Sequence, residues 1–295
     1  MSENELLKLT SLPTLEQPPE RVVSLVPSIT ESLFGLGFGS SVVGITDYCV
    51  HPKEKLGKVT RVGGPKDPDV FLIAELKPQL VFANQEENSP ETIEALIDVG
   101  IKVWVSFPKN VDECLDELRN ILAIYHTDKP ALQIVTLQNA VDYARVASDN
   151  EPRVKYFCPI WHDVLDETLW WMTFNQSTYA HDVLSIVGGE NVFAARERLY
   201  PIKADLGVIQ SEGQEKGDTR YPRVTVEEII QAEPDVILLP EEPFKFTQEH
   251  KQIMERYLVE TPAVKNGRIN FLDGSLITWH GTRLGKALQF LPQYL

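Results

Sequence analysis

Residues 21–37 read RVVSLVPSITESLFGLG. Val22, Val23, Leu25 and Val26 form a short apolar run, the pattern of a strand buried on both faces. Pro27 closes the run, and Ser28 with Glu31 has the spacing of a capping box that starts a helix. Gly35 and Gly37 end that helix. The stretch therefore predicts a strand, a turn and a helix, the repeating element of a parallel α/β sheet.

The element returns later in the chain. Arg21-Val22 to Pro27 is echoed by Arg153-Val154 to Pro159, and the glycine stop at Gly35 and Gly37 by Gly188 and Gly189 in DVLSIVGGENVF. FLIAELKPQLVFA (71–83) is echoed by EIIQAEPDVILLP (228–240), a helix that stops before a proline with an apolar strand after it. GIKVWVSF (100–107) is matched by NGRINFLD (266–273). Four elements in the same order predict two lobes of similar topology. Between them, residues 110–125 suit one helix. Thr127 or Asp128 can cap the next, whose apolar stripe is Ile134, Leu137, Val141 and Ala144. The expected fold is α/β: two Rossmann-like lobes with parallel sheets, joined by a single long helix, with a ligand groove between the lobes. The expected boundaries are an N-terminal arm over 1–20, a lobe over 21–127, a connecting helix over 128–149 and a second lobe over 150–295.

Composition narrows the function. The chain has 295 residues, 43% of them hydrophobic, and a formal net charge of -15. Such a charge repels nucleic acid and anionic membrane surfaces. No apolar run approaches the roughly 18 residues of a membrane span, so no membrane insertion is expected. The first residues, MSENELLKLTSLPTLEQPPE, have neither the basic start nor the apolar stretch of a secretory leader. This predicts a cytoplasmic protein, or a periplasmic or cell-surface one if a leader has been removed. Cys49, Cys114 and Cys158 are widely spaced, without a CxxC or zinc spacing, as in a reducing compartment or a set of core thiols. A monomer is expected.

The repeats differ at one place. Pro27 to Gly37 spans ten positions, whereas Pro159 to Gly189 spans thirty. The extra residues, IWHDVLDETLWWMTFNQSTYAHD, start at the carboxyl end of a predicted strand, where open α/β sheets bind ligands. They hold Trp161, His162, Trp170, Trp171 and Phe174, and Trp279 lies in the loop SLITWHGTR. Indole rings offer flat apolar area with little rotamer entropy and one N–H donor, which suits a broad ligand of mixed polarity. His162 and His280 each follow a tryptophan and could ligate a metal-centred ligand. Arg283 could pair with a ligand carboxylate or phosphate. The six histidines form no HxxxH or HxH pair, so no dedicated metal cage is expected. GLGFG (35–39) follows a helix and not a strand, and no GxSxG or Walker sequence is present, which leaves an enzyme reading little support.

RVVSLVPSITESLFGLGFGSSVVGITDYC, RVGGPKDPDVFLIAELKPQLVFA and GIKVWVSFP resemble the first lobe of the cluster III periplasmic binding proteins. VGGENVF and YPRVTVEEIIQAEPDVILLP resemble the second lobe. TDYC and the VGG of residues 62–64 lean towards the cobalamin-binding branch of ABC importers. The resemblance implies a non-enzymatic, helical-backbone metal receptor with no required cofactor. Its implied ligand is a cobalamin or other corrinoid, or an iron-siderophore. By position it implies ligand contacts at Asp47, Tyr48, Asn84, Trp161, Trp171, Tyr221 and Arg283. The residue reading adds His162, Trp279 and His280. An ABC permease is the implied partner, docked through one glutamate per lobe. Glu227 matches the second of these, but Phe71 stands at the first, with Asp69 and Glu75 nearby. Pro65 and Asn84 stand where the cobalamin-binding branch carries tryptophans. The alternatives are an importer's substrate-binding component and an enzyme acting on a corrinoid with the same scaffold.

Overall fold

The structure is a computed structural model that describes residues 9–210 and 217–295, so the start of the arm expected over residues 1–20 lies outside the described residues. Packing divides the chain into two compact units. The first holds the described residues up to Pro108, Asp112–Asn139 and Trp279–Leu284. The second holds Lys109–Val111, the described residues of Ala140–Thr278, and Gly285–Leu295.

The first unit is built on β1 (Val22–Ser24), β2 (Val42–Ile45), β3 (Thr60–Arg61), β4 (Leu80–Asn84) and β5 (Val103–Ser106). They form one parallel sheet in the order β3-β2-β1-β4-β5. The second unit contains β6 (Val154–Phe157), β7 (Trp161–Leu165), β8 (Thr168–Met172), β9 (Gly189–Asn191), β10 (Arg223–Thr225), β11 (Val236–Pro240) and β12 (Ile269–Leu272). Four of these make a parallel sheet, β12-β11-β6-β9. Laying β1, β2, β4 and β5 on β6, β9, β11 and β12 gives the same spatial order, as the sequence repeats require; β3 has no counterpart. The glycine stops also coincide. Gly37 and Gly188 both follow the first helix of their unit, at φ +91° and +100°, a left-handed backbone that side chains disfavour.

The first helix, Pro27–Gly35, begins differently from the expectation. Val26 is its N-cap and has no polar side chain to cap with, and Pro27 takes the first helical position. Its ring presets φ, and the N–H it lacks is one that needs no partner there. Ser28 and Glu31 are thereby free for tertiary contacts. A true capping box stands in the second unit, where Thr225 and Glu228 exchange bonds at the start of the helix Val226–Ala232.

Apolar side chains fill each unit. In the first, Val23, Leu25, Val81, Ala83 and Val105 of the sheet pack with Ile73, Ile93 and Leu96 of the covering helices. In the second, Phe157, Ile237, Leu239 and Ile269 pack with Trp171, Phe193, Ile229 and Met254. Each full burial of such a side chain contributes roughly 1.5–3 kcal/mol. Helices Val111–Ile124 and Ala131–Ser148 follow the first sheet. On the second of them, Ile134 and Val141 are buried and Leu132, Val135, Tyr143 and Val146 are exposed, so the predicted stripe is the packed one. The division between units falls inside this helix, at Asn139. The sequence boundaries put all of 150–295 in one lobe, whereas Trp279–Leu284 packs with the first unit.

Candidate functional site

In each parallel sheet the chain pairs one strand on one side of the first and then crosses to the other side. Ligands of open α/β sheets bind beyond the carboxyl ends at such a switch. In the first unit that point lies at the ends of β1 and β4, and in the second at the ends of β6 and β11.

At the first switch point, Ser28 follows β1, Asn84 ends β4, and His280 arrives from the C-terminal segment. His280 Nδ1 lies 2.5 Å from Glu117 Oε2, on the helix Val111–Ile124. Its Nε2 lies 3.4 Å from Ser28 Oγ and 3.5 Å from Asn84 Nδ2. The Asn84 amide is held in one orientation, since its Oδ1 accepts from the backbone N–H groups of Glu86 at 2.8 Å and Glu87 at 3.4 Å. Burial alone would lower the His280 pKa, but Glu117, Glu87 and Glu86 raise it above the ordinary imidazole value. Glu117 Oε1 is buried without a hydrogen-bond partner.

The C-terminal segment is fastened by four further contacts. The Gly281 N–H donates to Cys114 Sγ at 2.9 Å, and the Thr282 N–H to Ser32 Oγ at 3.0 Å. Gly281 has φ +79°, and a Cβ on it would fall 2.1 Å from Ser32 Oγ, so only glycine fits. Arg283 donates twice to Glu31, at 2.6 and 3.1 Å, and its guanidinium stands 4.7 Å from the Trp279 ring. Arg283, expected to meet a ligand acid, is thus engaged by Glu31 and 3% exposed. Trp279 is buried, with its ring edge-on to His51 at 5.7 Å. Asp47 and Tyr48 follow β2 on an exposed loop, and Tyr48 is 64% exposed.

At the second switch point the extra residues form the hairpin β7–β8, extended by β10 into an antiparallel sheet. Neighbouring residues along a strand face opposite sides, and paired residues face the same side. Trp161, Met172 and Arg223 are paired across the three strands and form one row. Trp161 is 46% exposed. Trp171 points the other way, into the core against Phe157, and is 1% exposed. The expectation of a ligand contact at Trp171 is therefore corrected: alternation buries this ring. His162 stands in a ring cluster with Phe244 at 5.2 Å and His250 at 4.7 Å, and Phe244 also touches Trp161 at 5.0 Å. Burial first, and then His250, pushes the His162 pKa down, which favours the neutral ring. Tyr221 lies under the Arg220 guanidinium, 5.1 Å from its ring centre.

Phe244, Phe246 and His250 were not read from the sequence, although FKFTQEH follows β11 and the switch-point rule would have pointed to that loop. Ser28 and Glu31 were assigned to a helix cap, and nothing local marked Glu117. Glu227 is exposed in the first turn of its helix, and Phe71 is 82% exposed on the helix Val70–Glu75. Among the described residues no group of three or more His, Cys, Asp or Glu could hold a metal ion, and no helix is long and apolar enough to cross a membrane.

The sequence is 26% identical over 289 residues to the vitamin B12-binding protein of Vibrio cholerae serotype O1, covering 94% of this chain and 90% of that one. It is also 26% identical over 288 residues to an uncharacterized ABC transporter substrate-binding lipoprotein, YvrC of Bacillus subtilis, covering 95% and 81%. Among solved structures, the periplasmic vitamin B12 binding protein BtuF of Vibrio cholerae superposes with a TM-score of 0.70 at 23% identity, over 94% of this chain and 96% of that one. The periplasmic heme-binding protein RhuT of Roseiflexus sp. RS-1 gives 0.71 at 21% identity, over 93% and 97%. These relatives are described as periplasmic or as lipoproteins, so the cytoplasmic expectation finds no support among them. The periplasmic binding protein family model matches residues 22–276, which takes in both repeats, and the chain belongs to that family.

Proposed function

We propose that this protein is a non-enzymatic receptor for a bulky, ring-shaped chelate of the corrinoid or heme kind, serving an ABC importer on the outer side of the cytoplasmic membrane. The observation that carries the reading is the aromatic edge at the second switch point. There a half-exposed Trp161 stands against Phe244, which also touches His162. A flat ring system gains from stacking on the indole. Relatives named for vitamin B12 and for heme support this class of ligand. Ligand contact is assigned to Trp161, His162 and Tyr221 in the second unit, and to Asp47, Tyr48, Asn84 and His280 in the first. Glu227 is assigned to permease docking, and Phe71 stands in place of the first-unit glutamate. Native mass spectrometry with cyanocobalamin, cobinamide, hemin and a ferric siderophore tests the reading. A one-to-one adduct with a corrinoid or hemin is expected, and no adduct with any of the four would refute it.

One observation favours a second reading, an enzyme. Ser28, His280 and Glu117 stand in the order hydroxyl, imidazole, carboxylate, the order used for acyl transfer. On that reading Ser28 Oγ adds to an ester carbonyl while its proton passes to His280 Nε2, and the adduct collapses to an acyl-Ser28 ester as the alcohol leaves with that proton. A fluorophosphonate probe would then label Ser28. An unlabelled serine, with no release of nitrophenol from nitrophenyl acetate, removes this reading.

A further inference from the structure

An arginine cluster lies on the second unit, next to the row that holds Trp161. Asp205, whose side chain has no exposed surface, forms an ion pair with Arg196 at 3.2 Å and accepts from Arg223 at 3.4 Å. It also accepts from the backbone N–H groups of Leu199 and Arg223, each at 2.9 Å. Glu228 takes Arg196 Nε at 3.1 Å, and Asp218 takes Arg220 through two bonds at 2.9 and 2.6 Å. Four guanidinium groups thus meet three carboxylates. Arg198 is the remaining cation. It rests 4.7 Å from the Tyr200 ring and shares with Arg220 the field of Asp218, whose pKa both lower. Burial, and next the nearby Arg198, push the pKa of Arg223 down, so two guanidinium groups crowd each other here.

The same place holds buried donors without acceptors. Arg198 Nε, Arg223 Nε and Trp170 Nε1 are all buried and make no hydrogen bond. Arg223 stands over the Trp170 ring, 5.4 Å from its centre. A protein does not ordinarily leave three buried donors without an acceptor. The net charge of -15 makes the concentration of arginine here a local feature and not a general one. Guanidinium groups offer planar forks that match carboxylate and phosphate oxygens.

We propose that Arg198, Arg223 and the Trp170 indole N–H form an anion-binding site that takes a carboxylate or phosphate group on the periphery of the ligand. This rests on the receptor reading above, since the row Trp161–Met172–Arg223 joins the aromatic edge to the cluster. The site selects chelates that carry an acidic arm over neutral analogues of the same shape.

Two ligand pairs separate the sources of the charge. Hemin and its dimethyl ester differ in carboxylates, and cobinamide phosphate and cobinamide differ in a phosphate. For whichever chelate binds, the acidic member should bind roughly tenfold or more tightly than its neutral analogue. In Arg198→Gln that ratio should fall to near one, while binding of the neutral member persists. Arg198→Lys, which keeps the charge but loses the fork, should retain part of the ratio. Urea midpoints of both variants establish that they fold. A ratio near one in the wild type, or a ratio unchanged in Arg198→Gln, overturns the site. If neither chelate binds, the receptor reading fails, and the site is read alone by thermal unfolding in inorganic phosphate and in citrate. A rise in Tm that Arg198→Gln abolishes upholds it, and no rise in either anion overturns it.

Discussion

The two units share a strand order and differ in what they place at its switch point. In the first, three distant chain segments bring Ser28, Asn84 and His280 together over Glu117, and every one of these side chains is buried. In the second, one inserted hairpin and one loop bring Trp161, His162, Phe244 and His250 together, and Trp161 is half exposed. The duplicated sheet sets where chemistry can sit, and residues outside the duplicated strands set which chemistry it is. The first switch point is built from charge and hydrogen bonds, the second from ring packing.

The contrast is broken most forcefully in the first unit. Glu117→Ala leaves the His280 imidazole buried without its carboxylate, and loss of one partner of a buried pair costs about 3–5 kcal/mol. Urea unfolding reads this; a loss below about 1 kcal/mol would show that the pair contributes little. In the second unit, Trp171→Ala opens a core cavity and should cost about 3–5 kcal/mol of stability. Chelate affinity, measured where the variant is folded, should hold. Collapsed affinity in a folded variant would make Trp171 a ligand contact.

The neighbouring ring sharpens the comparison. Trp161→Ala should change stability by less than about 0.5 kcal/mol and weaken chelate binding by about 1–3 kcal/mol. Equal affinity in wild type and variant would remove the aromatic edge from the site. The smallest effect is in pH. The folded-state pKa of His280 is raised, so its stabilisation is fully present below the ordinary value of 6.5 and is lost as pH rises through the folded value. The urea midpoint of the wild type should fall over that range relative to His280→Gln, and parallel profiles would contradict the charged pair.

The repeats, both glycine stops and the stripe on the long helix were legible because each is a local pattern. The hairpin was not. Its turn residues, Asp166 and Glu167, adopt φ +48° and +69° without the glycine or asparagine that ordinarily marks such a turn. The pairing of Glu117 with His280 spans 163 residues, beyond any periodicity. Ser28 and Glu31 carried a correct helix signal for the wrong reason, since Pro27 starts that helix unaided. At Trp170 and Trp171 a two-residue alternation decides which ring is core, and without a known strand its phase could not be fixed.

The central claim is that the chain binds a ring-shaped chelate at the aromatic edge of the second unit. Calorimetric titration with cyanocobalamin, cobinamide and hemin, run in parallel on the wild type and Trp161→Ala, tests it most directly. The account predicts saturable one-to-one binding of at least one of them by the wild type, weakened about tenfold or more in the variant. No binding of any of the three by the folded wild type would contradict it.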